Sequence, residues 1–116
     1  MPHCIIEYSA KIVENLPVEQ LTHAVYKGAS QSELFNPSDI KVRAQSFEHF
    51  YLPGAEQVFV HVNLKILSGR DLSQRKSLSE SVMSQLERLG IEDAVVTVEV
   101  NDIEKDSYTK KITTIS

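Results

Sequence analysis

Three residues carry groups that could act together on one small molecule: Pro2, Arg43 and Arg70. The chain opens MPHCIIEYS, with a proline immediately ahead of a strand-like run. Proline is tolerated as the first residue of a strand, because the ladder need not begin there. If Met1 is trimmed, however, Pro2 carries a free secondary amine held in a rigid ring. An α-amino group titrates a little below 8. In an apolar pocket near guanidinium groups, desolvation and like charge both disfavour its protonated form and draw that value toward neutrality. Such an amine is a general base at working pH. Arginines beside it could hold a carboxylate and stabilise enolate charge. One shuttling base, two anion clamps and an apolar wall suffice to move a proton along a conjugated enol acid, with no metal and no organic cofactor.

Each arginine also has a plainer reading. Arg70 lies in LSGRDLSQR, where the longest strand hands over to a helix, and could pair with Asp71 or Glu80. Arg43 lies within a strand and could pair with Glu7 or Glu99. A strand end followed by a helix start is also a common anion site, since helix N-terminal amides favour negative charge. Arg75 and Lys76 read as solvated charges.

Other chemistries find little footing. His3, His23, His49 and His61 lack metal-ligand spacing. His61 reads as structural or interfacial. Cys4 is the single cysteine, which rules out an intramolecular disulfide and fits a reducing compartment. There is no G-x-S-x-G, Walker loop or G-x-G-x-x-G. A net charge of −4 argues against nucleic acid as a partner. No apolar run reaches membrane-spanning length, and the N-terminus lacks the pattern of a signal peptide. A cytoplasmic location is therefore expected.

The elements that must position these groups are legible from periodicity. Strands are expected at His3–Tyr8, Ile40–Phe47, Gln57–Leu67 and Ala94–Ile103. Alternation in the third places Val58, Val60, Val62, Leu64 and Ile66 on one face, against Phe59, His61, Asn63 and Lys65. In the second it separates Ile40, Val42 and Ala44 from Lys41, Arg43 and Gln45. Helices are expected from Pro17 to about Gly28 and from Leu72 to Leu89, with Gly90 ending the latter. The order strand–helix–strand occurs twice, joined by the PGAE turn at Pro53–Glu56. A single domain over residues 1–116 follows, with internal halves of about 1–52 and 53–116. A helical crossover demands parallel pairing within each half. The fold class is thus α/β in layers: duplicated β-α-β units forming one four-stranded mixed sheet, with two helices on one face. The other face mixes polar groups with Phe59 and with Ile5, the latter in what reads as an outer strand. A face so mixed is often covered by another subunit.

Three segments, PHCIIEYS, IKVRAQSF and HVNLKILSGRDLSQRKSL, resemble the tautomerase superfamily and, within it, the 5-carboxymethyl-2-hydroxymuconate isomerases. Members of that family open with a segment like PHFIVEYS, carry a strand arginine in the middle, and run a hydrophobic strand into a GR dipeptide. The resemblance spans nearly the whole chain. It is weakest between the first strand and Ile40 and beyond Asp102. It implies the repeated β-α-β fold, a homotrimer with sites near subunit boundaries, and removal of Met1 so that Pro2 acts as base and then acid. By position it implies that Arg43 contacts a carboxylate of a small anionic substrate. Arg70 would bind the other carboxylate or polarise the oxo group. Phe47, Phe50 and Tyr51 are candidates for the apolar wall. ILSGRDLSQRK also looks like the opening of the small 4-oxalocrotonate tautomerases, which supports a duplication. The rival readings are a related tautomerase activity on the same frame, such as keto–enol conversion, dehalogenation or decarboxylation, and a trimeric binding protein without catalysis.

Overall fold

The computed structural model describes residues 1–115. Its strands are β1 (His3–Ser9), β2 (Lys41–Phe47), β3 (Val58–Leu67) and β4 (Ala94–Ile103), and its helices are α1 (Val18–Gln31) and α2 (Leu72–Glu87). The sheet order is β2-β1-β3-β4. β1 pairs parallel with β2, β3 parallel with β4, and the two halves join through antiparallel β1 and β3. β1 is therefore an inner strand and not the outer one expected, which places Ile5 toward the middle of the open face.

One sheet face is the core face. Cys4, Ile6 and Tyr8 of β1 and the five alternating residues Val58, Val60, Val62, Leu64 and Ile66 of β3 are buried there. Against them pack Leu21, Val25 and Ala29 of α1 and Leu78, Val82 and Leu86 of α2. Burying each such aliphatic side chain contributes about 1.5–3 kcal/mol, which makes this layer the main source of stability.

α1 runs past Gly28, where its end was expected. The glycine serves packing: a Cβ there would lie 2.6 Å from the Val82 Cα of α2. The two helices approach closely enough for Ser81 Oγ to donate to the Gly28 carbonyl at 2.7 Å. α2 starts with a reciprocal cap, in which Asp71 Oδ1 accepts from the Gln74 amide (2.8 Å) and Gln74 Oε1 accepts from the Asp71 amide (3.0 Å). It closes at Glu87, and Gly90 takes the left-handed conformation (φ 64°) that ends the turn beyond it.

Candidate active site

Antiparallel pairing of β1 with β3 brings the start of one strand to the end of the other, with His3 opposite Lys65. Met1 and Pro2 thus lie beside Leu67 and the turn that carries Arg70. Pro2 is fully buried, and its carbonyl accepts from the Lys41 amide at 3.1 Å, extending the β1–β2 ladder. The proline needs no amide of its own there, because its carbonyl makes the ladder bond.

Around this corner Met1, Leu34, Phe35, Asn36, Asp39, Leu67, Arg70, Tyr108 and Lys110 enclose a hollow of about 380 Å³. That is in the range of sites for small organic ligands. Gly69, at φ 124°, turns the chain so that Arg70 faces Leu34 and Phe35. The Arg70 Nη2 donates to the Leu34 carbonyl at 2.6 Å, and the guanidinium carbon lies 5.3 Å from the Phe35 ring centroid. Among the described residues Arg70 forms no ion pair with Asp71 or Glu80; the Asp71 carboxylate caps α2 instead. Held by a carbonyl and a ring, this half-buried cation has no carboxylate partner among the described residues, which leaves its remaining N–H groups open to a guest.

The terminal amine feels this surrounding. Burial is the first cause that lowers the Met1 amine from its ordinary value, followed by Lys41, with Lys110 and Arg70 adding to it and Asp39 opposing. On the rim Lys110 Nζ lies 3.3 Å from Asp39 Oδ1, and the bond from Lys110 holds the Asp39 carboxyl below the usual range.

Arg43 is placed differently. It is exposed on the open sheet face, in register with Ile5, and its Nη1 donates to His3 Nδ1 at 3.1 Å. His3 Nε2 in turn meets the Tyr108 hydroxyl at 3.0 Å. Arg43 forms no ion pair with Glu7 or Glu99 among the described residues; Glu99 engages His61 and accepts from Asn101 at 2.7 Å. Phe47 stands 6.1 Å from Phe59 on the open face, and Phe50 is 5.2 Å from the same ring. Within one chain the structure brings Met1, which precedes Pro2, into the hollow with Arg70 and sets Arg43 and Phe47 outside it. Arg75, expected to be solvated, is half-buried, with its Nε unpartnered.

Four lining residues carry no sequence signal as strong. Phe35 and Asp39 fall in the stretch between Ile12 and Ile40, where apolar periodicity is weak. Tyr108 and Lys110 follow the last strand and belong to no periodic element. Two aromatics and a lysine flanking a strand start are visible only once the chain is folded.

A second hollow, of about 570 Å³, lies at the opposite end of the sheet. It is built from the start of β3 (Gln57, Val58), the α2–β4 turn (Gly90–Asp93) and the segment after β1 (Lys11–Leu16). The first hollow uses the start of β1, the α1–β2 turn and the segment after β3. These elements correspond under exchange of the halves, while Tyr108 and Lys110, from the segment after β4, line the first hollow without a counterpart in the second.

Residues 2–111 match the family described as CHMI: 5-carboxymethyl-2-hydroxymuconate isomerase. The chain belongs to the 5-carboxymethyl-2-hydroxymuconate isomerase family. This isomerase has the tautomerase fold, as the solved structures similar to it show. One is a 5-carboxymethyl-2-hydroxymuconate delta-isomerase with TM-score 0.80 and 16% identity, covering 97% of this chain and 89% of that one. Another, a 5-carboxymethyl-2-hydroxymuconate isomerase from Deinococcus radiodurans R1, has TM-score 0.76 and 20% identity over 97% and 90% of the two chains. A third, a fused 4-OT described as a symmetric trimer, has TM-score 0.68 and 19% identity over 89% and 86%. No curated protein matches the sequence.

Proposed function

We propose that this isomerase, once Met1 is removed, shifts a double bond in 5-carboxymethyl-2-hydroxymuconate or a similar enol di- or tricarboxylate, with Pro2 as the proton carrier and without a cofactor. The observation that supports the reading is a hollow in which Met1, the residue that covers the buried Pro2, meets an arginine with no carboxylate partner among the described residues. The secondary amine accepts the proton of the 2-hydroxyl as C2 becomes a carbonyl. The conjugated double bonds collapse to one between C3 and C4, and the ammonium returns the proton to C5. Atoms and charge balance with no further reactant. Arg70 holds a carboxylate or the developing oxyanion, where a fixed guanidinium acts most strongly out of bulk water. Phe35, under Arg70, supplies the apolar wall within one chain. Burial and nearby cations, which lower the Met1 amine against the opposing Asp39, would push a Pro2 amine in the same direction.

The same reading includes a homotrimer. The open face supports it, since Ile5 and Phe59 are half-buried there among polar groups, and so does the trimeric neighbour. In an assembly of copies, Arg43 and Phe47 would reach substrate at a site shared between subunits. The setting proposed is catabolism of aromatic acids.

The test is the loss of dienol absorbance on adding enzyme, with the N-terminal mass measured on the same sample. Active protein should begin at Pro2, and Pro2→Ala should lower kcat by about 100-fold or more, the range of a lost general base. Full activity from protein that still begins with methionine overturns the mechanism.

A further inference from the structure

Resting on that reading, we infer that Tyr108 is a hydrogen-bond donor to the oxo or enolate oxygen of the guest, and that Arg43 aims this donor through His3. The argument is one of donors and acceptors. A guanidinium only donates, so the 3.1 Å contact from Arg43 Nη1 makes His3 Nδ1 an acceptor. A neutral imidazole with an accepting Nδ1 carries its proton on Nε2. That Nε2–H then donates to the Tyr108 oxygen at 3.0 Å. With its oxygen occupied as an acceptor, the Tyr108 hydroxyl must spend its own proton elsewhere, and no other partner for it exists among the described residues. Tyr108 lines the hollow that holds Met1 and Arg70. The free donor thus belongs to a wall of the site, beside the arginine.

Burial first, and then Arg43, hold the His3 imidazole below its ordinary value, which favours the neutral ring that the two contacts require. Other charges acting on it in the same sense are Lys41, the terminal amine and Lys65. Tyr108 is the residue that touches the guest in this hollow, and His3 is a positioning residue. Arg43 positions His3 in addition to its proposed reach toward substrate in an adjoining subunit, so the tautomer and not the Arg43→Met rate decides the relay.

Two readouts separate this inference from the reaction it rests on. Nitrogen NMR of labelled histidine in the full-length protein needs no substrate. It should show His3 as the Nε2–H tautomer at neutral pH, and Arg43→Met should convert it to a mixture, while Arg43→Lys, which keeps a donor, preserves it. A wild-type His3 carrying its proton on Nδ1, or on both nitrogens, overturns the relay. With 5-carboxymethyl-2-hydroxymuconate as substrate, Tyr108→Phe should lower kcat/KM by about 10- to 100-fold, the worth of a hydrogen bond to a charged group. Arg43→Met should reproduce part of that loss and move the acid limb of the pH profile upward, because His3 then protonates more readily. Unchanged kcat/KM in Tyr108→Phe overturns the donor role. If wild-type protein does not turn the substrate over, the proposed reaction falls and the tautomer alone decides the relay.

Discussion

Arg70 illustrates how a side chain can be held and yet remain available. One edge of its fork is spent on the Leu34 carbonyl and its face lies over Phe35, which leaves the remaining N–H groups for a carboxylate. Arg70→Ala should therefore lower kcat/KM for carboxylate substrates by about 100-fold without a change in fold, read by steady-state kinetics alongside circular dichroism. Arg70→Lys keeps the charge but loses the fork, and should recover only part of that activity. Cys4 makes a different kind of statement. It is fully buried, and burial pushes its thiol up to about 12, against about 8.5 in an unfolded chain. A raised folded value means a contribution that is complete below about pH 8.5 and declines as pH climbs toward 12. The stability advantage of wild type over Cys4→Ala, from urea midpoints, should shrink by about 2 kcal/mol between neutrality and pH 10.

Among the elements, the α1–α2 contact is the least forgiving. Gly28→Ala should gain up to about 1 kcal/mol of helix propensity. The new methyl would meet the Val82 backbone at 2.6 Å, however, and neither helix backbone can yield as a side-chain tip could. The net expectation is a loss of about 1–3 kcal/mol, measured by chemical denaturation. Gly28 also shows where reading the chain stops. A glycine near the end of an apolar stripe looks like a terminator, and only the second helix reveals that it is a contact point. The strands were legible because alternation in β3 is unbroken and its partners follow from crossover geometry. Pro2 and Arg70 stood out by residue type and by their places at a strand start and a strand end, and antiparallel pairing of β1 with β3 sets Met1 and Arg70 in one hollow. Phe35, Asp39, Tyr108 and Lys110 were not, since loops position side chains by tertiary contacts that leave no periodic trace. The pairing of Arg43 with His3 was likewise hidden: it crosses from β2 to β1, and neighbouring carboxylates offered a simpler partner.

For the molecule as a whole, the proposed assembly rests on the open sheet face. Ile5, on the inner strand β1, sits centrally on it, with Arg43 on one side and Asn63 on the other by register. A charge at that point would have to be desolvated in any interface, at a cost of several kcal/mol. Ile5→Asp should thus shift the proposed trimer to monomers in light scattering after size exclusion, while the monomer keeps its far-ultraviolet spectrum. Wild-type mass from that variant would place the interface elsewhere.

The hollow at the far end of the sheet has a consequence for how many reactions one chain can run. A duplicated half should bring a duplicated workplace, and the corner formed by Gln57, Val58 and the α2–β4 turn is the twin of the one at Pro2. Yet Gln57 is joined to Glu56 by an ordinary peptide bond, so no substitution at that position can present a titrating backbone nitrogen. The second corner thus has no free amine to offer, and Glu14, Glu92 and Asp93 outnumber its one cation, Lys11, against an anionic guest. Cutting the chain ahead of residue 57 is the one alteration that would return a terminus there.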